Sequence, residues 1–199
     1  MIRDLGVEVV DLRAASARQI PLAIRRLQGV VAQKEPQVIH GWMYHGSLIA
    51  TLALRLARRS DIGLLWAIHH SLADPAREKM TTRAVLRGLR MMGDRADAIT
   101  YCSQQSADQH RAFGLPAARA GFVPNGIDTE EFRPDPAARA RLTAVGVPAG
   151  RLVLGSIARS HPMKDHPAFV HTLAQLRQQG LDVHGALIGA GQPGGPAEA

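Results

Sequence analysis

A single cysteine, Cys102, excludes any disulfide within the chain and makes a reducing cytoplasm the expected compartment. It lies in the apolar run AITYC and reads as a core thiol. Aromatic residues are only 4% of the chain, with no stacking platform and no known reader motif, so a nucleic-acid partner is not expected. No apolar run approaches the ~18 residues that cross a bilayer, and the opening MIRDLGVEVVDL is too polar for a secretory signal. The sequence has no HExxH, no Asp-x-Asp and no Cys-His cluster. His161, His166 and His171 recur at intervals of five residues, as do His40 and His45, a spacing that does not gather side chains on one helical face. No metal site is therefore expected. A nucleophile elbow for Ser-His-Asp chemistry is missing as well. Acidic residues are in deficit, 17 against 24 Lys and Arg, for a net charge of +7. That balance suits phosphate-bearing partners or an anionic membrane surface, and equally a plain solvated surface.

What is present is a hydrophobic content of 46%, enough for a proper core, in a regular alternation of short β-branched runs and amphipathic stretches. Residues 7–12 read as a strand, followed by a helix with Ile20, Ile24, Leu27 and Val31 in register. Gln37 to His40 reads as a second strand, Gly46 to Arg59 as a helix, and 63–68 as a third strand ending at His69 and His70. Asp74-Pro75 then looks like an N-cap and first turn for a helix running to about Met92. Residues 97–102 form the next strand, Ser103 caps a helix closed by Gly114, and Arg119 to Val123 is a short strand. Past the turn-rich PNGID and Pro134-Asp135-Pro136 come a helix over Pro136 to Val145, a strand Leu152 to Ile157, a helix Pro167 to Gln179 and a strand Val183 to Ile188. The fold class is α/β, with parallel sheets covered on both faces. Residues 1–123 are expected to form a first domain, 124–136 a hinge that includes Asn125 and Gly126, and 137–199 the opening of a second domain.

Chemistry is concentrated where strands end. In LGSIARSHPMKDH, Arg159 and Lys164 follow a strand, the usual ligand edge of an open α/β sheet, where two cations can hold a diphosphate. On spacing alone, a solvated basic loop accounts for them equally well. His69 and His70 occupy the equivalent edge of an earlier strand, and an ordinary core or surface histidine is the competing reading. Arg83, Arg87 and Arg90 form a basic helix stripe suited to lipid headgroups or a phosphorylated acceptor, although a solvated face is the commoner explanation. Gly189-Ala190-Gly191-Gln192-Pro193-Gly194 matches a dinucleotide fingerprint and would imply a nicotinamide or flavin protein. That fingerprint needs a following helix and an acidic residue about twenty positions on, and Pro193, Pro196 and the chain end supply neither.

The run FVPNGIDTEEFRPD followed by GSIARSHPMKDH resembles the retaining glycosyltransferases of family 4, which have the GT-B fold of two Rossmann-like domains and use nucleotide sugars. VIHGWMYHGSL, WAIHHSLADPAREKMTTR and ADAITYCSQQSADQH are similar to the N-terminal half of bacterial members that build capsule, exopolysaccharide or lipopolysaccharide. The resemblance implies an acceptor-side first domain, a hinge at Val-Pro-Asn-Gly-Ile-Asp and a donor domain. Arg159 and Lys164 then fall at the donor-diphosphate positions, with Ala158 where a glycine is usual. His69, with His70 as the alternate, falls at the active-site histidine that contacts the transferred sugar. The implied partners are a UDP- or GDP-linked sugar and a saccharide or lipid-linked acceptor, met in the cytoplasm or at the inner face of the cell membrane. No metal or cofactor is implied. A non-catalytic nucleotide-binding remnant and a nucleotide-sugar epimerase of the same fold are the alternatives.

Members of the family also carry a strand and glycine-rich loop ahead of the position of Met1, and a Glu-x7-Glu element beyond Ala199. A first domain lacking its first strand and a truncated donor domain are therefore expected. The isolated chain is accordingly predicted to show weak or no transfer, measured as incorporation of labelled nucleotide sugar. A rate typical of an intact enzyme would contradict this.

Overall fold

A computed structural model describes residues 3–14 and 16–189. The chain divides into two compact units, Met1–Gly126 and Ile127–Ala199, and both are α/β with parallel sheets.

In the first unit, helix α1 (Ile20–Lys34) precedes strand β1 (Val38–Trp42), helix α2 (Met43–Leu56) and strand β2 (Gly63–Ile68). Helix α3 (Met80–Met91), strand β3 (Ala98–Tyr101), helix α4 (Gln104–Phe113) and strand β4 (Ala120–Phe122) follow. The sheet order is β1-β2-β3-β4, every pair parallel, with Ile39 opposite Leu64, Trp66 opposite Ile99 and Tyr101 opposite Phe122. Leu64, Trp66, Ile68, Ile99 and Tyr101 share one sheet face and form the core with Leu54, Leu86 and Leu89 of the helices. The buried indole of Trp66 donates to Thr51 Oγ1 at 3.1 Å, and that hydroxyl donates to the Ser47 carbonyl, so the core's polar atoms are paired.

Sequence signals for α4 are realised directly. Ser103 Oγ accepts from the Ser106 amide, and Gly114 ends the helix at φ +107. Other expectations change. Residues 7–12 form no strand: β1 is the edge strand of the sheet, with β2 as its one partner, and residues 7–12 do not pair with its open side. They lie outside any helix or strand, with Glu8 bonded to Lys34 at 2.6 Å and Leu12 packed beside Ala23 and Ile24. Asp74 caps only a short 3-10 turn, Pro75–Arg77, by accepting from the Ala76 amide; Glu78 and Lys79 are extended before α3 begins. The sheet is not covered evenly on both faces. Its strands follow chain order, so right-handed crossovers put α2, α3 and α4 on one side. On the other side Val38 and Trp42 remain 61% and 56% exposed.

The second unit contains helix α5 (Ala138–Ala144), strand β5 (Leu152–Ile157), helix α6 (His166–Gln178) and strand β6 (Val183–Ile188), with β5 and β6 parallel from Leu152 opposite Val183 to Ile157 opposite Ile188. Among its described hydrophobic residues only Val147 and Val183 are buried. Gly189 has φ +148, and a Cβ there would come within 2.2 Å of the Ala158 carbonyl oxygen. The glycine therefore serves the close passage of the two strand ends. Residues 190–194 of the fingerprint-like run lie outside the described residues.

The junction between β1 and α2 has no loop at all: Trp42 ends the strand and Met43 opens the helix at φ +59. Such a turn requires close approach. A Cβ on Gly41 would lie 2.6 Å from Ser47 Cα, while Ser47 Oγ donates to the Gly41 carbonyl. Gly41→Ala is expected to destabilise the protein by about 1–3 kcal/mol through this overlap, seen as a lowered urea midpoint. An unchanged midpoint would mean the elbow is looser than described.

Candidate active site

The carboxyl ends of β1, β2 and β3 carry Trp42, the His69-His70 pair, and Cys102 with Ser103. Loops at this edge follow strands buried below them, which is where an α/β sheet presents ligand-binding groups. Both histidines are half-buried, and the structure separates them. His70 Nε2 is 2.9 Å from Glu78 Oε1, and its ring meets the Tyr44 ring edge to face at 5.9 Å. His69 instead stacks on Trp42, ring centroids 4.4 Å apart and planes 18° apart, and its amide donates to Met43 Sδ at 3.3 Å. Its ring nitrogens have no hydrogen-bond partner among the described residues.

Below this pair lies a buried polar network. His110 Nδ1 is 2.7 Å from the Ser106 carbonyl, which can only accept, so Nδ1 carries the proton. In the neutral ring Nε2 is then an acceptor, and the Tyr44 hydroxyl donates to it at 2.7 Å. Ser106 Oγ donates to the His70 carbonyl at 2.6 Å, fixing the loop that bears both histidines. Burial pushes the Tyr44 phenol well up, with Glu78 and Tyr101 adding to the shift, so Tyr44 remains a donor at neutral pH.

In the second unit Arg159 lies just past β5 and Lys164 ends a 3-10 turn, Pro162–Lys164; both are exposed. Neither has an acidic partner among the described residues. A helix opening near Pro167 would add the positive pole of its N-terminus beside these cations. The structure reduces that contribution, because Asp165 caps the helix by accepting from the Ala168 amide and Pro167 has no N–H. Ser160, His166, Pro167, Val170 and Leu187 help line a cleft of about 600 Å³ beside this loop. Asn125 and Gly126 are exposed and outside any helix or strand, and the division between the units falls immediately after Gly126.

The basic stripe on α3 is not uniform. Arg90 lies over the Phe113 ring at 6.0 Å, whereas Arg83 and Arg87 border a pocket of about 350 Å³ with Asp74 and Phe113. No helix among the described residues is long and apolar enough to cross a membrane. Nor do three or more His, Cys, Asp or Glu side chains gather there as a metal site would require.

Trp42, Tyr44, Glu78, Ser106 and His110 escaped the sequence reading. Ser106 and His110 carried a signal, their i, i+4 spacing on a helix capped by Ser103. Glu78 carried none, because the expected long helix obscured the extended break that lets it meet His70.

Parallel sheets with polar and aromatic side chains at their carboxyl edges place the chain among the α/β folds whose ligands characteristically bind at strand ends. More narrowly, the chain belongs to Glycosyltransferase Family 4, whose model matches residues 4–131. It is 29% identical over 189 residues to the GDP-mannose-dependent alpha-(1-6)-phosphatidylinositol monomannoside mannosyltransferase of Mycobacterium tuberculosis, covering 95% of this chain and 48% of that protein. The same-named enzyme of Mycolicibacterium smegmatis is 35% identical over 103 residues, covering 52% of this chain and 27% of that protein. Among solved structures, Anabaena Alr3699/HepE in complex with UDP-glucose matches with a TM-score of 0.74 at 19% identity, over 97% of this chain and 50% of that one. The chain thus spans about half the length, or less, of the relatives it matches, and the last likeness establishes the shared fold alone.

His110 generates a pH prediction. Burial lowers its pKa, the bond to the Ser106 carbonyl offsets part of that, and His70 nearby lowers it further. The folded protein therefore keeps the ring neutral below the unfolded value of about 6.5. As pH falls through that value, the unfolded chain takes up a proton the folded site refuses, and stability drops. The urea midpoint should fall between about pH 7.5 and 5.5, and fall less in His110→Gln. Equal losses in both proteins would place the sensitivity elsewhere.

Proposed function

We propose that this chain carries out, as part or whole of a family 4 enzyme, the transfer of a sugar from a nucleotide-diphosphate sugar to a saccharide or lipid-linked acceptor, with retention and without a metal ion. The observation that carries this reading is the family match over residues 4–131, which contains the entire His69 edge. The mycobacterial relatives are by name GDP-mannose-dependent, and the Anabaena structure holds UDP-glucose, which supports a nucleotide sugar as the donor class.

Cleaving a sugar-diphosphate bond leaves negative charge on the departing phosphate, so fixed cations at that oxygen lower the barrier. Arg159 and Lys164 are assigned that role. They lie beyond the family match, so the assignment leans on the 189-residue similarity and on two exposed cations following a parallel strand. His69, with uncommitted ring nitrogens, is the better candidate to contact the transferred sugar; His70, engaged with Glu78, is assigned to holding the loop. Asn125 and Gly126 are assigned to the hinge, and the α3 arginines to a peripheral contact with the cytoplasmic membrane face. An epimerase would share the fold, so fold likeness cannot separate the two readings, whereas the family match favours transfer.

Calorimetry of the full chain with UDP and with GDP tests the donor assignment. One of them should bind, and Arg159→Ala or Lys164→Ala should weaken binding about twofold to fivefold, the scale of one exposed charge pair. Absence of binding to the unaltered chain would leave only a structural remnant of a donor loop.

A further inference from the structure

The stacked ring pair at the end of β1 is not accounted for by packing. Trp42 is 56% exposed, although the other tryptophan, Trp66, is fully buried and hydrogen-bonded. One face of the Trp42 indole lies flat on His69, and His40 approaches edge-on at 5.3 Å with planes 63° apart. The ring is thus held from two sides while more than half of the residue's surface stays open. An indole with one face occupied and the rest open has the half-apolar, half-wet setting in which tryptophan is enriched at interfaces.

The backbone beneath it is built at a cost. Met43 adopts φ +59, a left-handed conformation that a non-glycine residue holds only where the surroundings impose it. The imposing contacts are those of Gly41 with Ser47. Omitting any loop between β1 and α2 fixes Trp42 at the sheet edge rather than on a mobile turn. Met43 also couples this elbow to the neighbouring strand end, since its sulfur accepts the His69 amide. Trp42 and His69 are therefore positioned as one unit from two strands.

We infer that Trp42 is a sugar-stacking platform: it binds a pyranose of the acceptor through the ring's C–H face, next to the free nitrogens of His69. The inference rests on the transferase reading for calling that sugar the acceptor, but the platform itself does not. An indole presents a negative face, and a pyranose with axial C–H groups on one side presents a complementary weakly positive, apolar one. The neighbouring imidazoles of His69 and His40 would take the hydroxyls at the rim of such a ring, giving an apolar floor with a few polar groups beside it.

The test uses the full chain and methyl β-D-glucopyranoside, a pyranoside with axial hydrogens at C1, C3 and C5 on one face. In proton–nitrogen NMR spectra the indole N–H of Trp42 should shift on titration while that of buried Trp66 stays. Saturation transfer should be strongest to the three axial hydrogens of that face. Trp42→Ala should weaken binding about fivefold or more, with Trp42→Phe intermediate. No Trp42 shift, or unchanged saturation transfer in Trp42→Ala, overturns the platform. The indole shift needs no variant, so a Trp42→Ala protein that fails to fold does not remove the test. Parallel calorimetry with UDP and GDP separates the two ideas. Nucleotide binding without glycoside binding sinks the platform and spares the donor loop. Glycoside binding without nucleotide binding does the reverse.

Discussion

The hydrogen bond from Tyr44 to His110 is the interaction on which the strand-end edge of the first unit depends. It joins the start of α2, which follows β1, to α4, which follows β3, and the loop after β2 lies between them. That loop is then held from three directions. Ser106 bonds the His70 carbonyl, Glu78 bonds the His70 ring, and Met43 takes the His69 amide. Each contact uses a group that would otherwise be a buried or half-buried polar atom without a partner, which costs about 1–3 kcal/mol apiece when unmatched. Satisfying these atoms and fixing the loop are therefore one event. The ring nitrogens of His69 are the polar atoms of this edge that no described neighbour engages.

Much of this arrangement was legible in the sequence, and the exceptions have physical causes. Strands at 63–68, 152–157 and 183–188 came from β-branched apolar runs bounded by turn residues, and α4 from its Ser103 cap and Gly114 stop. Such signals are local, so they survive without knowledge of the fold. The stretch at 7–12 has the same local character, but whether such a run joins a ladder depends on tertiary pairing, which local pattern does not contain. Glu78 and His110 meet their partners across 8 and 66 residues, the second distance far beyond any periodicity. Trp42 was hidden for a different reason: in VIHGW it reads as one more large strand residue, and only its exposure singles it out.

The two units place their chemistry in contrasting settings. At the His69 edge most groups are aromatic rings, and they are stacked or hydrogen-bonded to one another over a packed core. In the second unit Arg159 and Lys164 are exposed above a two-stranded sheet with little buried apolar surface, and Asp165 adds an opposing charge next to Lys164. Exposed cations in water interact weakly with a single anion, because solvent screens the attraction and holding long side chains costs entropy. A diphosphate bound tightly at this loop would thus need further donors around it or a drier setting. Two cations alone give a loop that attracts phosphate rather than one that grips it.

That contrast bears on how the +7 net charge should be interpreted. Charge spread over a surface raises encounter with any anion and selects little. Selection comes from groups whose geometry is fixed before the ligand arrives. By that criterion the first unit is the more committed half. Its elbow at Met43, the assigned tautomer of His110 and the stacked Trp42–His69 pair are each determined by neighbours with few alternative arrangements. Replacing Arg87 of the α3 stripe changes a largely solvated group, whereas removing Tyr44 or His110 leaves a buried partner unpaired. If the strand-end edge holds a ligand, selection there should follow the shape of a few fixed rings rather than the sum of the arginines.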